Sequence, residues 1–176
     1  SLNSCGTFGC HYLVLALSRS VWISRRKFIK DSTILIVGTI MATDHFTDKE
    51  LQCKHCGVSK MDPTFMEILE KIRVEMNRPL YLGSAYRCNV HNQAVSSTGE
   101  HGPHTFGRAV DVAGISGADA LRLVEIARKY GMTGIGLKQD SKTPHKSRFV
   151  HLDNLNSTTD KDIGFEGPRP WVWSYA

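Results

Sequence analysis

The feature that most limits how this chain can fold is an aspartate inside an apolar run, Ala109-Val110-Asp111-Val112-Ala113. Such a run reads as a buried strand. A carboxylate among apolar neighbours is costly unless it is paired or bound to a metal. The fold must therefore carry partners to Asp111. His104 precedes it by seven residues, with Gly107 between them to let the backbone turn. His151 lies far downstream, in Arg148-Phe149-Val150-His151-Leu152-Asp153. Strand alternation puts Phe149, His151 and Asp153 on one face and Val150 and Leu152 on the other. Two imidazoles and one carboxylate form a three-ligand set that suits zinc. Three protein ligands leave a fourth position open, which is the arrangement of a catalytic rather than a structural site. The chemistry expected of such a set is metal-assisted hydrolysis.

The surrounding pattern predicts an α+β fold with a small, mainly antiparallel sheet and flanking helices. Asp62-Pro63 opens a helix, and Phe65, Ile68, Leu69, Ile72 and Met76 recur at helical spacing until Arg78-Pro79 stops it. Residues 80–86 read as a short strand, 89–95 as a short helix and 96–103 as a loop. A second amphipathic helix spans 117–130, with Ala120, Leu121, Val124, Ile126 and Ala127 as its apolar set and Gly131 as its stop. Residues 133–137 and 148–152 are two more strands joined by a polar loop. The aromatic tail, Trp171-Val172-Trp173-Ser174-Tyr175, is expected to pack on the core or to form a lip on a groove.

The 176 residues suffice for one domain with a real core, and 41% hydrophobic against 22% charged residues marks the chain as globular. A formal charge of +5 fits an anionic partner, although it serves solubility equally well. No helix-turn-helix, basic aromatic strand or paired Cys/His finger accompanies it, so no nucleic-acid partner is expected. Residues 1–40 read as an N-terminal extension, either an export signal or a non-native segment upstream of Met41, with the domain in 41–176. Arg25-Arg26 ahead of the apolar run at 33–42 looks like a twin-arginine export signal, while the earlier run at 12–17 fits no signal peptide. Both runs fall short of the ~20 residues of a membrane span, so no stable insertion is expected. Of five cysteines, Cys53-Lys54-His55-Cys56 is a lone C-x-x-C. A structural zinc there would need Cys88 and a fourth ligand, for which His55 or His91 are the candidates. The plainer expectation is buried thiols or a disulfide to Cys88.

The chain resembles a known family through Gly83-Ser-Ala-Tyr-Arg87-Cys, Asn92, Gly102-Pro-His104-Thr-Phe-Gly107-Arg-Ala109-Val-Asp111, Gly134-Ile-Gly136 and Phe149-Val-His151-Leu-Asp153. These resemble the VanY-like zinc D-Ala-D-Ala carboxypeptidases and L-alanyl-D-glutamate endopeptidases. The likeness is nearest to the carboxypeptidase C-terminal catalytic-domain type found in bacteriophage lysis enzymes. It covers roughly residues 46–173 and centres on the motif S-x-H-x-x-G-x-A-x-D. It implies a hedgehog/D-Ala-D-Ala-peptidase-like fold, with His104, Asp111 and His151 as zinc ligands and Arg87 facing the substrate carbonyl. It also implies action on the bacterial cell wall, by a phage-encoded or exported monomer whose substrate is the peptidoglycan stem peptide.

Two positions depart from the family. Gly102 stands where relatives carry Ser. Arg148, which cannot accept a proton, stands where many carry the acid that serves as general base. Asp153 is the expected substitute, ahead of Glu100, His101 and His145. Two other functions compete with the peptidase. One is a non-catalytic, zinc-containing wall-binding or interaction module of the same fold. The other is a metal-free redox protein using Cys53 and Cys56.

Overall fold

The structure, a computed structural model, describes residues 43–175. The twin-arginine-like segment, both early apolar runs, Met41, Cys5 and Cys10 lie outside the described residues.

Helix α1 (Asp48–Leu51) is a single turn closed by a capping box. The Thr47 hydroxyl accepts from the Glu50 amide, and the Glu50 carboxylate accepts from the Thr47 amide at 2.9 Å. Helix α2 (Pro63–Met76) starts as the sequence predicts, with Asp62 Oδ1 accepting from the Phe65 amide at 2.8 Å and Pro63 in the first turn. It buries Phe65, Met66, Leu69, Ile72 and Met76 and ends at Asn77 in the left-handed region. Strand β1 (Leu82–Ser84) is shorter than its apolar run, and α3 (Asn89–Val95) follows it. Helix α4 (Gly117–Lys129) is capped by Ser116 and buries Ala120, Leu123, Ile126 and Ala127. Leu121, expected in that face, is 64% exposed. At 3.6 residues per turn the stripe through 120, 123 and 127 leaves 121 pointing away.

Strands β2 (Ala109–Ala113), β3 (Gly134–Lys138), β4 (Phe149–Asp153) and β5 (Trp171–Ser174) complete one sheet in the order β1-β2-β4-β3-β5. All neighbours are antiparallel except β3 and β5, which run parallel. The two faces divide the labour. Val110, Val112, Val150, Leu152 and Ile135 join Phe65, Leu69, Ile72 and Leu123 in the apolar core. At about 1.5–3 kcal/mol per fully buried large side chain, this face anchors the helices and fixes the register of every strand.

That register lines up the opposite face. Ser84 pairs with Asp111, Asp111 with His151, His151 with Gly136, and Gly136 with Trp173. One rung across five strands thus carries both central residues of the sequence reading. Directly opposed residues share a face at Cβ separations of about 4.5–5.5 Å, so their side chains must meet.

Gly136 is the small member of the rung. A Cβ there would sit 2.7 Å from ring atoms of Trp173 and of Tyr175. The aromatic tail is therefore an edge strand whose rings cross β3 at Gly136, where no side chain stands in the way. Gly136→Val is expected to push Trp173 and Tyr175 off the sheet. Ligand binding in the adjoining cleft should weaken by about tenfold or more, while the helical circular dichroism stays native, since the core lies on the other face.

Candidate metal centre

Asp111 sits in the middle of β2 with its side chain at the floor of a cleft of about 690 Å³. His104 Nε2 lies 3.3 Å from Asp111 Oδ1, and His151 Nδ1 lies 2.9 Å from the same oxygen. One ligand atom from each residue falls within 4.8 Å of the other two. A tetrahedral ion with bonds of about 2.0–2.1 Å holds its ligand atoms roughly 3.3–3.4 Å apart. The spacing around Asp111 Oδ1 fits that requirement to within a few tenths of an ångström. The donor set, two imidazoles and a carboxylate, suits a divalent metal of the first transition row.

Each of the three is held from behind. His104 Nδ1 donates to the Ala85 carbonyl at 2.7 Å, which leaves Nε2 as the ligand atom. His151 Nε2 donates to Asp153 Oδ2 at 3.2 Å, which leaves Nδ1 toward Asp111. Arg87 Nη2 donates to Asp111 Oδ2 at 2.5 Å, and Arg87 Nε to the Ser84 hydroxyl at 2.8 Å. Outer partners of this kind fix tautomer and ring orientation. Local structure supplies them: β1 and the loop after it bring Ala85 and Arg87, and the Arg87 amide donates to the His104 carbonyl, tying the two segments together.

The charges follow from these contacts. Burial pushes the Asp111 carboxyl up, but the two histidines outweigh it and hold it well below the usual range, so it is ionised. Burial holds the His104 pKa down despite Asp111. Burial also opposes protonation of His151, yet Asp111 and Asp153 push its pKa up to about 9. Two carboxylates against one imidazole thus favour positive charge at this point of the site.

Asp153 shares the face of His151, as alternation predicts, but it is fully buried and does not line the cleft. Arg169 donates to both of its oxygens, at 2.9 and 2.6 Å, and the Leu155 amide donates to Oδ1 at 3.1 Å. Such a carboxylate is suited to orienting His151, not to the proton-accepting role that the sequence reading expected of it. Gly134 makes the space: a Cβ there would collide with the Asp153 carboxylate and lie 2.6 Å from Arg169 Nε. Arg169 carries no motif in the sequence; its only signal is a cation between two prolines ahead of an alternating aromatic strand. Trp171, Trp173 and Tyr175 also line the cleft, and the Trp173 ring lies 5.2 Å from that of His151.

The remaining candidates sit further out. Arg148 donates to the carbonyls of Thr143 and Ser141, so the position where relatives carry an acid braces a loop here. His145 is exposed in a short 3-10 turn (His145–Ser147). Glu100 and His101 are exposed in the segment between Thr98 and Pro103, both of which line the cleft. Buried Asn92 holds this wall by donating to Thr98 Oγ1 and the Gly99 carbonyl. Gly102 follows from the same packing. A Cβ there would run into the Thr98 hydroxyl and sit 3.1 Å from Thr98 Cβ, so the serine of the motif would require the Thr98 side chain to shift. Gly107 is required twice over: its φ is +69°, and a Cβ would strike the Lys60 backbone.

A model of the peptidase M15 family matches residues 44–153, and the chain belongs to that family. The match makes the chain a metallopeptidase by descent and spans Arg87, His104, Asp111 and His151, whereas Arg169 and the aromatic strand lie beyond it. No curated protein and no solved structure matches the chain. Among the described residues no helix is long and apolar enough to cross a membrane.

Proposed function

We propose that the protein is a zinc-dependent peptidase that hydrolyses an amide bond in the peptidoglycan stem peptide. The observation that carries the reading is the convergence of His104, Asp111 and His151 at the floor of an open cleft, each braced by its own outer partner. His104 Nε2, Asp111 Oδ1 and His151 Nδ1 would hold the ion. When bound, zinc supplies Lewis acidity toward the scissile carbonyl and lowers the pKa of water toward ~7.

The protein's own groups do the rest. Arg87 lines the cleft with a fixed guanidinium that stays charged. It is suited to holding a substrate carboxylate or the oxyanion that forms as the carbonyl is attacked. Arg169 adds a second cation to the same wall, and stem peptides carry free carboxylates. Trp171, Trp173 and Tyr175 offer flat apolar surface to the peptide. Asp153, clamped by Arg169, keeps His151 in one tautomer. With Asp153 engaged and Asp111 a ligand, the proton acceptor for the attacking water would come from Glu100 or His101, which are exposed in the segment between the cleft-lining Thr98 and Pro103.

A specific observation favours the second reading, a non-catalytic binding module. Among the described residues that line the cleft, Asp111 is the only carboxylate. One experiment separates the two. Mass spectrometry of stem-peptide digests is expected to show cleavage that stops with a chelator and resumes with zinc. The fragment masses distinguish carboxypeptidase cuts between D-alanines from endopeptidase cuts between L-Ala and D-Glu. Glu100→Gln with His101→Ala should slow turnover by about 10²–10⁴-fold with zinc content unchanged, the usual worth of a general base. Zinc bound with no cleavage in the unsubstituted protein leaves the binding module.

A further inference from the structure

A second cluster of metal-ligating side chains lies away from the cleft, and none of its members belongs to the site above. Cys53, Cys56 and Cys88 bring one sulfur each within 4.8 Å of one another. Cys53 and Cys56 flank a tight turn. The Cys53 amide donates to the Val58 carbonyl and the Gly57 amide to the Cys53 carbonyl, both at 2.8 Å, with Gly57 at φ +71°. Cys88 comes from the far side of β1, immediately before α3. Its backbone amide donates to Cys53 Sγ at 3.3 Å. His91, three residues further on, places Nδ1 3.3 Å from the same sulfur.

We propose that Cys53, Cys56, Cys88 and His91 form a structural zinc site that ties the turn after α1 to the Arg87–His91 segment. The spacing is C-x-x-C with C-x-x-H, and the set is closed, with four protein ligands and no position for a reactant. Thiolate and imidazole donors select zinc over the hard cations. His55 also lies near, with Nδ1 3.5 Å from Cys88 Sγ, but it is exposed in the turn, whereas His91 is half-buried against Cys53. A disulfide would use two of the three sulfurs and leave the third sulfur and the imidazole beside them without a purpose. On binding, the three thiols release their protons to solvent and His91 binds as the neutral imidazole. The site ends one residue from Arg87, so it also stiffens the segment that presents the guanidinium to Asp111. It does not depend on the peptidase reading and would stand if the chain cleaved nothing.

The test uses the whole chain, purified under reducing conditions, with zinc measured by elemental mass spectrometry. The expected content is about two equivalents per chain, falling to about one in Cys56→Ser and in His91→Ala, and also to about one in His104→Ala. An organomercurial that titrates thiols should release about one equivalent from the unsubstituted protein, read with a chromogenic chelator. That arm holds even where a cysteine variant fails to fold. Cobalt substitution should give an intense thiolate-to-metal absorption band that Cys56→Ser loses. Zinc that the mercurial does not release would overturn the proposal. So would an intact mass two hydrogens lower, from a disulfide among Cys53, Cys56 and Cys88. Loss of the second equivalent in His55→Ala but not in His91→Ala would overturn the assignment of the fourth ligand.

Discussion

His104→Ala is expected to abolish peptide cleavage, by roughly 10³-fold or more, and to remove one equivalent of metal. The magnitude follows from what the ion supplies: several kcal/mol of charge stabilisation, at 1.36 kcal/mol per factor of ten. The domain should remain folded. His104 is buried, but its loss leaves only the Ala85 carbonyl without its partner, at about 1–3 kcal/mol. Asp111 keeps Arg87 and His151. Asp111→Asn should lose the metal as well, because the charge that draws the cation is gone while the shape is kept. Both variants are to be assayed for metal content, stem-peptide turnover and thermal midpoint together. Full turnover in either, with its metal retained, would remove His104 and Asp111 from the ligand set.

The second large effect concerns stability. Arg169→Met strips both guanidinium hydrogen bonds from Asp153, which is 0% exposed. Removing one partner of a buried ion pair costs about 3–5 kcal/mol, because the remaining charge is left uncompensated. His151 and the Leu155 amide remain as partners but do not replace a bidentate cation. With Arg169 gone, Asp153 is no longer held in place to orient the His151 ring, and metal affinity should fall by about 10–100-fold. Denaturant unfolding measures the first effect and metal titration the second. Asp153→Asn in the Arg169→Met background should recover part of the stability, because the two changes act on one interaction and are not additive. A single Arg169→Met variant within about 0.5 kcal/mol of the parent, the range of an ordinary surface change, would show that the pair does not hold the site.

Much of this is legible in the sequence, for a physical reason. Asp111 is an anomaly in an apolar strand, and an anomaly that costs free energy points to its own compensation. The period-two alternation of β4 put His151 and Asp153 on one face, and the sheet register places Asp111 opposite His151. The cap Asp62 and the stripe of α2 were equally local signals. What local pattern could not supply was partnership across distance. Asp153 was on the expected face, but its occupation by Arg169, sixteen residues on, depends on the path of the intervening loop. That path is set in part by Arg108, a variable position of the motif. Its guanidinium donates to Asn154 and Asp160 and pins the loop beside β2. Strand β5 was masked by Pro168 and Pro170 and by a parallel pairing with β3 that no hairpin announces. The alternation of Trp171, Trp173 and Tyr175 was its one readable trace. Helix α1 was missed although Thr47-Asp48-Lys49-Glu50 spells a capping box, because four residues carry no periodicity.

The most direct test of the central claim is an anomalous-difference Fourier map from crystals of the zinc-loaded protein, recorded on both sides of the zinc absorption edge. The account predicts a peak at about 2.0–2.2 Å from His104 Nε2, Asp111 Oδ1 and His151 Nδ1 together. A zinc-containing crystal with no peak among those three atoms would contradict it.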